Sequence, residues 1–264
     1  MRDPLVFLPG LMCDAHLFAG QIAAFSPDYP VSVMPVGHGE RLEEIASSLI
    51  HVLPPRFALV GHSIGGMIAM ELLRRAPERV TRIALMSTTP LAETPQAAAD
   101  YEPAIIKLKS GRLQEGVEAL VPPGTLAAGT GRQVAMAQLM MMAERVGEGA
   151  IIRQVRALQR RRDYQPTLRR CKVPTLLMCG AEDGLTPPKR HDYMAGLIPY
   201  AALEVIEGAG HLLPLDQPVA TTRPLRSRLA PPSRRQPRAE AWPGPRAPGP
   251  RAPRPGGRPL VAPS

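Results

Sequence analysis

Between residues 5 and 208, short apolar runs of strand length alternate with amphipathic segments, and this alternation limits the fold more than any other feature of the chain. The runs are LVFLP (5–9), VSVMPV (31–36), FALVG (57–61), VTRIALM (80–86), PTLLMCG (174–180) and ALEVIEG (202–208). Segments at Glu40–Leu53, Ile64–Arg75 and Pro187–Leu197 have helix length and apolar spacing. Continuous apolar runs suit strands buried on both faces. Strand–helix alternation then predicts an open, mostly parallel sheet flanked by helices. Ligands of such sheets gather at the carboxyl ends of the strands.

One interval breaks the rhythm. From residues 87–90 (STTP) to Lys172 the pattern is helical, over Ala104–Leu120, Gln133–Val146 and Ile151–Arg160, with VPPGTLAAGTG (121–131) as a loop. An all-helical insertion at about 91–168 predicts a cap over the carboxyl edge of the sheet. Its MAQLMMMAERV stretch concentrates Met136, Met140, Met141 and Met142. Packing of cap on sheet is the preferred reading of these adaptable side chains, with Met140 assigned a substrate contact.

Ser63 stands where FALVG gives way to IGGMIAMELLRR, whose Ile64, Met67, Ile68 and Leu72 repeat at helical spacing. Gly61, Ser63 and Gly65 therefore form a Gly-x-Ser-x-Gly motif at a strand-to-helix turn, a context that exposes the serine oxygen above the sheet. A nucleotide loop would need Gly-x-Gly-x-x-Gly or a lysine after the glycines, and neither is present. A serine hydroxyl is a weak nucleophile without a base, and the base needs an orienting acid. Asp183 follows PTLLMCG in the chain, and His211 follows ALEVIEG. All three would project from one sheet edge, in the order Ser, Asp, His used by α/β-hydrolases. Glu182 is the alternative to Asp183. Of the other histidines, His62 reads as a packing residue or a support for the site's residues, not as the base, and His38 as a structural loop residue, while His16, His51 and His191 read as ordinary surface or helix positions.

Together LPGLMCD, GHSIGGMIAM, CKVPTLLMCGAEDGLTPP and IEGAGHLLPLDQP resemble the serine-hydrolase branch of the α/β-hydrolase family. They are similar to small bacterial carboxylesterases of the pimeloyl-carrier-protein methyl ester esterase and 3-oxoadipate enol-lactonase types. The resemblance spans about residues 3–220 and implies Ser63 as nucleophile, His211 as base then acid, and Asp183 as its orienter. It also implies an oxyanion hole from the backbone N–H groups of Leu11 and Ile64. In place of the family's His-Gly-x, this chain has Pro9-Gly10-Leu11. Leu11, Met12, Ile64 and Met140 are the expected substrate contacts. The implied activity is cleavage of a small carboxylic ester through an acyl-enzyme, without a cofactor. A lactonase, thioesterase or carbon–carbon hydrolase would use the same triad, and a non-catalytic ligand-binding protein could keep the same fold.

Charge and cysteine content narrow the partners. The formal charge is +9, and residues 221–264 hold ten arginines and one acid, so the remainder is neutral. No nucleic-acid partner is expected for the folded domain. PGPRAPGPRAPRPGGRP lacks apolar periodicity, which predicts a disordered tail. It is either a basic tail or GC-rich codons read out of frame. Before it, VATTRPLRSRLAPP (219–232) predicts a helix of about two turns, capped by Thr221 or Thr222 with Pro224 in its first turn. No membrane span is expected, nor a signal peptide, since Met1 runs almost directly into PLVFLPG. Cys13, Cys171 and Cys179 form no Cys-x-x-Cys pair, which points to reduced thiols and a cytoplasmic setting. No histidine or cysteine cluster has metal-ligand spacing, so neither a metal nor a cofactor is expected.

Overall fold

The computed structural model describes residues 2–129 and 131–229; the tail expected to be disordered lies outside them. Each apolar run supplies a strand: β1 (Leu5–Leu8), β2 (Val31–Val33), β3 (Phe57–His62), β4 (Val80–Met86), β5 (Thr175–Gly180) and β6 (Ala201–Ile206). They pair in the order β2-β1-β3-β4-β5-β6, every pair parallel. β1, β3 and β5 are buried along their whole length, which is why their sequences do not alternate. From β1 the chain moves outward to β2 and then crosses back to β3 on the other side of β1. The loops leaving β1 and β3 thus diverge at the carboxyl edge, opening the crevice that the strand order predicts.

Helices α1 (Ala19–Phe25), α2 (Leu42–Ile50) and α3 (Ile64–Arg75) connect the first four strands. α3 packs directly against β1 and β3 because Gly65 has no side chain: a Cβ there would overlap the Leu8 carbonyl group. Between β4 and β5 lie α4 (Pro95–Ala99), α5 (Glu102–Lys109), α6 (Leu113–Leu120), α7 (Gly131–Val146), α8 (Glu148–Gln159) and α9 (Gln165–Arg169). The single helix expected over Ala104–Leu120 is in fact two. Gly111, at φ 72°, ends the first in a left-handed turn, and the Arg112 N–H bonds back to the Lys107 carbonyl at 3.0 Å.

α10 (Pro188–Leu197) precedes β6, and α11 (Leu213–Asp216) and α12 (Pro218–Leu229) follow it. α12 begins earlier than expected. Pro218 takes its first position, where the missing N–H costs nothing, and its carbonyl accepts bonds from Gln21 Nε2 at 3.1 Å and Thr222 Oγ1 at 2.7 Å. Thr221 is therefore not a cap; its hydroxyl donates to the Leu213 carbonyl at 3.0 Å. The shift places Pro224 inside the helix instead of in its first turn. None of the described helices is long and apolar enough to cross a membrane.

Candidate active site

Ser63 caps α3 at φ 52° and ψ −118°, a backbone conformation that a residue with a side chain rarely adopts. The surroundings hold it there. Its N–H donates to the Met86 carbonyl at 2.9 Å, and its carbonyl accepts the Thr88 hydroxyl at 2.7 Å and the Gly66 N–H at 3.0 Å. Thr88 is fixed in turn, since its N–H donates to His191 Nε2 at 3.2 Å. His191 is fully buried on α10, not an ordinary surface or helix position. Burial pushes its pKa down to about 4, leaving a neutral ring that can accept that bond. No sequence spacing connects His191 to Ser63, because the link runs through the end of a neighbouring strand.

His211 follows β6 and is buried, with Nε2 3.1 Å from Ser63 Oγ. Its Nδ1 lies 3.0 Å from both Asp183 oxygens. Asp183 Oδ1 also accepts the N–H groups of Leu185 at 2.9 Å and Thr186 at 2.8 Å, and Oδ2 accepts the Thr186 hydroxyl at 2.7 Å. Burial alone would raise this carboxyl. The His211 ring and the Thr186 hydrogen bonds outweigh burial and hold Asp183 well below the usual carboxylate range. Glu182 turns away and accepts the Ala128 N–H at 2.7 Å. With Nδ1–H facing Asp183, the Nε2 lone pair of His211 faces the serine hydroxyl, the arrangement a proton transfer from Ser63 requires.

His62 lies directly behind. Its Nε2–H donates to the His211 carbonyl at 2.7 Å, and burial drives its pKa down to about 3, so the ring stays neutral. A Cβ on Gly10 would overlap the His62 ring, so the loop after β1 can approach Ser63 only with glycine there. That loop turns at Gly10–Cys13, closed by Cys13 N–H to the Gly10 carbonyl at 3.1 Å, with Met12 at φ 62°. The Met12 N–H donates to Gln154 Oε1 on α8 at 3.0 Å. Among the described residues, the N–H groups of Leu11 and Ile64 have no acceptor. They remain open to a ligand.

A cavity of about 120 Å³ lies over Ser63 and His211, with Leu11, Met67, Tyr101, Leu158, Arg161 and Arg190 in its wall. Leu11 is thus at the cavity as expected. The structure does not bring the side chains of Met12, Ile64 or Met140 there. Met12 and Ile64 are fully buried in the core, the first turned inward by its left-handed backbone and the second by its place at the start of α3. Met140 packs against the core from α7, so packing accounts for it. No group of three His, Cys, Asp or Glu side chains among the described residues could hold a metal.

Residues 5–225 match the model of the Alpha/beta hydrolase family. The chain is 26% identical over 235 residues to a pimeloyl-[acyl-carrier protein] methyl ester esterase of Pectobacterium carotovorum, covering 83% of this chain and 91% of the relative. A thermophilic esterase of Thermogutta terrifontis superposes with a TM-score of 0.77 at 22% identity, over 85% of this chain and 88% of that one. The enol-lactonase of Burkholderia xenovorans LB400 superposes with a TM-score of 0.75, also at 22% identity, over 87% and 92%. At that identity the two structures speak for the fold alone.

Proposed function

The chain belongs to the alpha/beta hydrolase family, and from that premise we propose that it hydrolyses a small carboxylic ester through an acyl-enzyme on Ser63. The observation that carries this reading is the unbroken hydrogen-bonded path from Ser63 Oγ through His211 to Asp183 at the floor of a cavity. Ser63 Oγ attacks the ester carbonyl while its proton passes to His211 Nε2. Asp183 keeps the ring oriented and stabilises its positive charge. The carbonyl oxygen, now an oxyanion, accepts the Leu11 and Ile64 N–H groups, each contributing about 3 kcal/mol to transition-state stabilisation. The carbon–oxygen bond to the alcohol then breaks, and His211 returns the proton to the departing oxygen. Water repeats the sequence on the acyl-enzyme, releasing the acid and regenerating Ser63. No step calls for a cofactor.

The strained φ of Ser63 supports the same reading, since the conformation has no structural use that a glycine would not serve better. The test is a fluorophosphonate serine probe followed by mass spectrometry. An adduct on Ser63, absent in Ser63→Ala and slowed at least a thousandfold in His211→Ala, is expected. Folded protein that stays unlabelled and turns over no ester would refute the assignment.

A further inference from the structure

We propose that the substrate carries a carboxylate or similar small anionic group, recognised by Arg190 in the wall of the catalytic cavity. This rests on the ester-hydrolase reading of Ser63 and names the class of ester.

The full charges lining the cavity are two arginines, Arg161 and Arg190, and no acid is among its wall residues. The two are not equivalent. The side chain of Arg161 is only 8% exposed, and its guanidinium is held by Glu93 at 2.5 Å and by the Leu91 carbonyl at 3.0 Å. Its charge is cancelled within the wall, as a buried cation requires. For half-buried Arg190, no carboxylate among the described residues lies within salt-bridge distance. The nearby Asp183 is already committed, both of its oxygens bonded to His211, Leu185 and Thr186. Arg190 is the third residue of α10, and helical side chains lean toward the helix N-terminus. It thus leans over the 183–186 loop, whose Leu185 and Thr186 share the cavity wall.

A guanidinium at the wall of a small cavity, half out of water and unneutralised by protein, favours an anionic ligand group. The space of about 120 Å³ limits that ligand to a short one. The negative group could sit on the acyl or the alcohol side of the scissile bond, and the chemistry at Arg190 is the same.

Two pairs of esters of matched shape test this by pH-stat. Monomethyl glutarate against methyl 5-methylhexanoate places the charge on the acyl side. O-acetylglycolate against isobutyl acetate places it on the alcohol side. We expect kcat/KM at least tenfold higher for the anion in one pair. In Arg190→Gln that preference should collapse, with at least a tenfold greater loss on the anionic ester than on its neutral partner. Arg190→Lys should keep part of the preference. Ser63 that labels with fluorophosphonate while neither pair discriminates would overturn the role of Arg190 and leave the hydrolase standing. A preference that survives in Arg190→Gln would overturn it too. Absence of both labelling and turnover would bring down the hydrolase reading, and this inference with it.

Discussion

Gln154 Oε1 accepts the Met12 N–H at 3.0 Å, joining a helix of the insertion to the loop that carries the Leu11 amide. Gln154 is buried, and Met12 is held at φ 62°, so a single side chain satisfies the N–H of a strained turn. Removing the acceptor leaves that N–H buried and unpaired at about 1–3 kcal/mol, and it frees the loop to move the adjacent donor. Gln154→Leu should therefore lower kcat by tenfold or more with little change in KM, whereas Gln154→Glu, which keeps the acceptor, should retain most of it. Equal losses in both variants, tracking a fall in Tm, would reduce Gln154 to a structural role. Steady-state kinetics and thermal melts on the two variants decide.

Gly65 sets how close α3 lies to β1. A Cβ there would meet the carbonyl groups of Leu8 and Pro9, which are backbone and cannot swing aside. Gly65→Ala should cost about 3 kcal/mol or more of stability and displace the loop that begins at Pro9. Urea unfolding would show the loss; an unchanged midpoint would mean that the helix can slide outward.

His62 and His191 are both held neutral, with pKa values brought down by burial to about 3 and about 4. In the unfolded chain a histidine titrates near 6.5. Below that pH the unfolded state binds protons that the folded state refuses, so stability is full above about 6.5 and falls as the pH is lowered. Each histidine contributes a slope of up to about 1.4 kcal/mol per pH unit. The two together should remove about 4 kcal/mol between pH 7 and pH 5. Urea titrations at pH 7, 6 and 5 measure this, and His191→Gln should roughly halve the slope. A flat profile would contradict the buried neutral pair.

The sheet and the three residues at its carboxyl edge were legible because both depend on local pattern. Buried strands read as apolar runs, and Ser63, Asp183 and His211 each stand just past one. What escaped depends on contacts across the chain. Gln154 meets Met12 over 142 residues, and His191 reaches Ser63 only through Thr88. No periodicity encodes either. Arg161 and Glu93 neutralise each other from the two ends of the insertion, so neither stands out in the sequence. Met140 failed as a substrate contact for a related reason: a methionine-rich stretch does not say which face of α7 meets the core. The break at Gly111 was there to be read, as a glycine within a helical pattern, but a glycine alone does not tell a kink from an end.

Pro224 lies in the interior of α12, a position where proline is about 3 kcal/mol less favourable than alanine. It lacks the N–H that the carbonyl of Ala220, four residues earlier, would accept. Pro224→Ala restores that bond and relieves the clash of the ring with the preceding turn. Against this stand two losses. The ring is buried, and trimming it removes about two methylene groups from the core, at about 0.8 kcal/mol each. The variant also frees the unfolded chain, by about 0.4–1 kcal/mol. The net gain should be about 1 kcal/mol, or a rise of about 2–4 °C in Tm for a domain of this size. Differential scanning calorimetry of the two proteins checks the sign. A lower Tm in Pro224→Ala would mean that the ring's packing beside Leu225 outweighs the missing backbone bond.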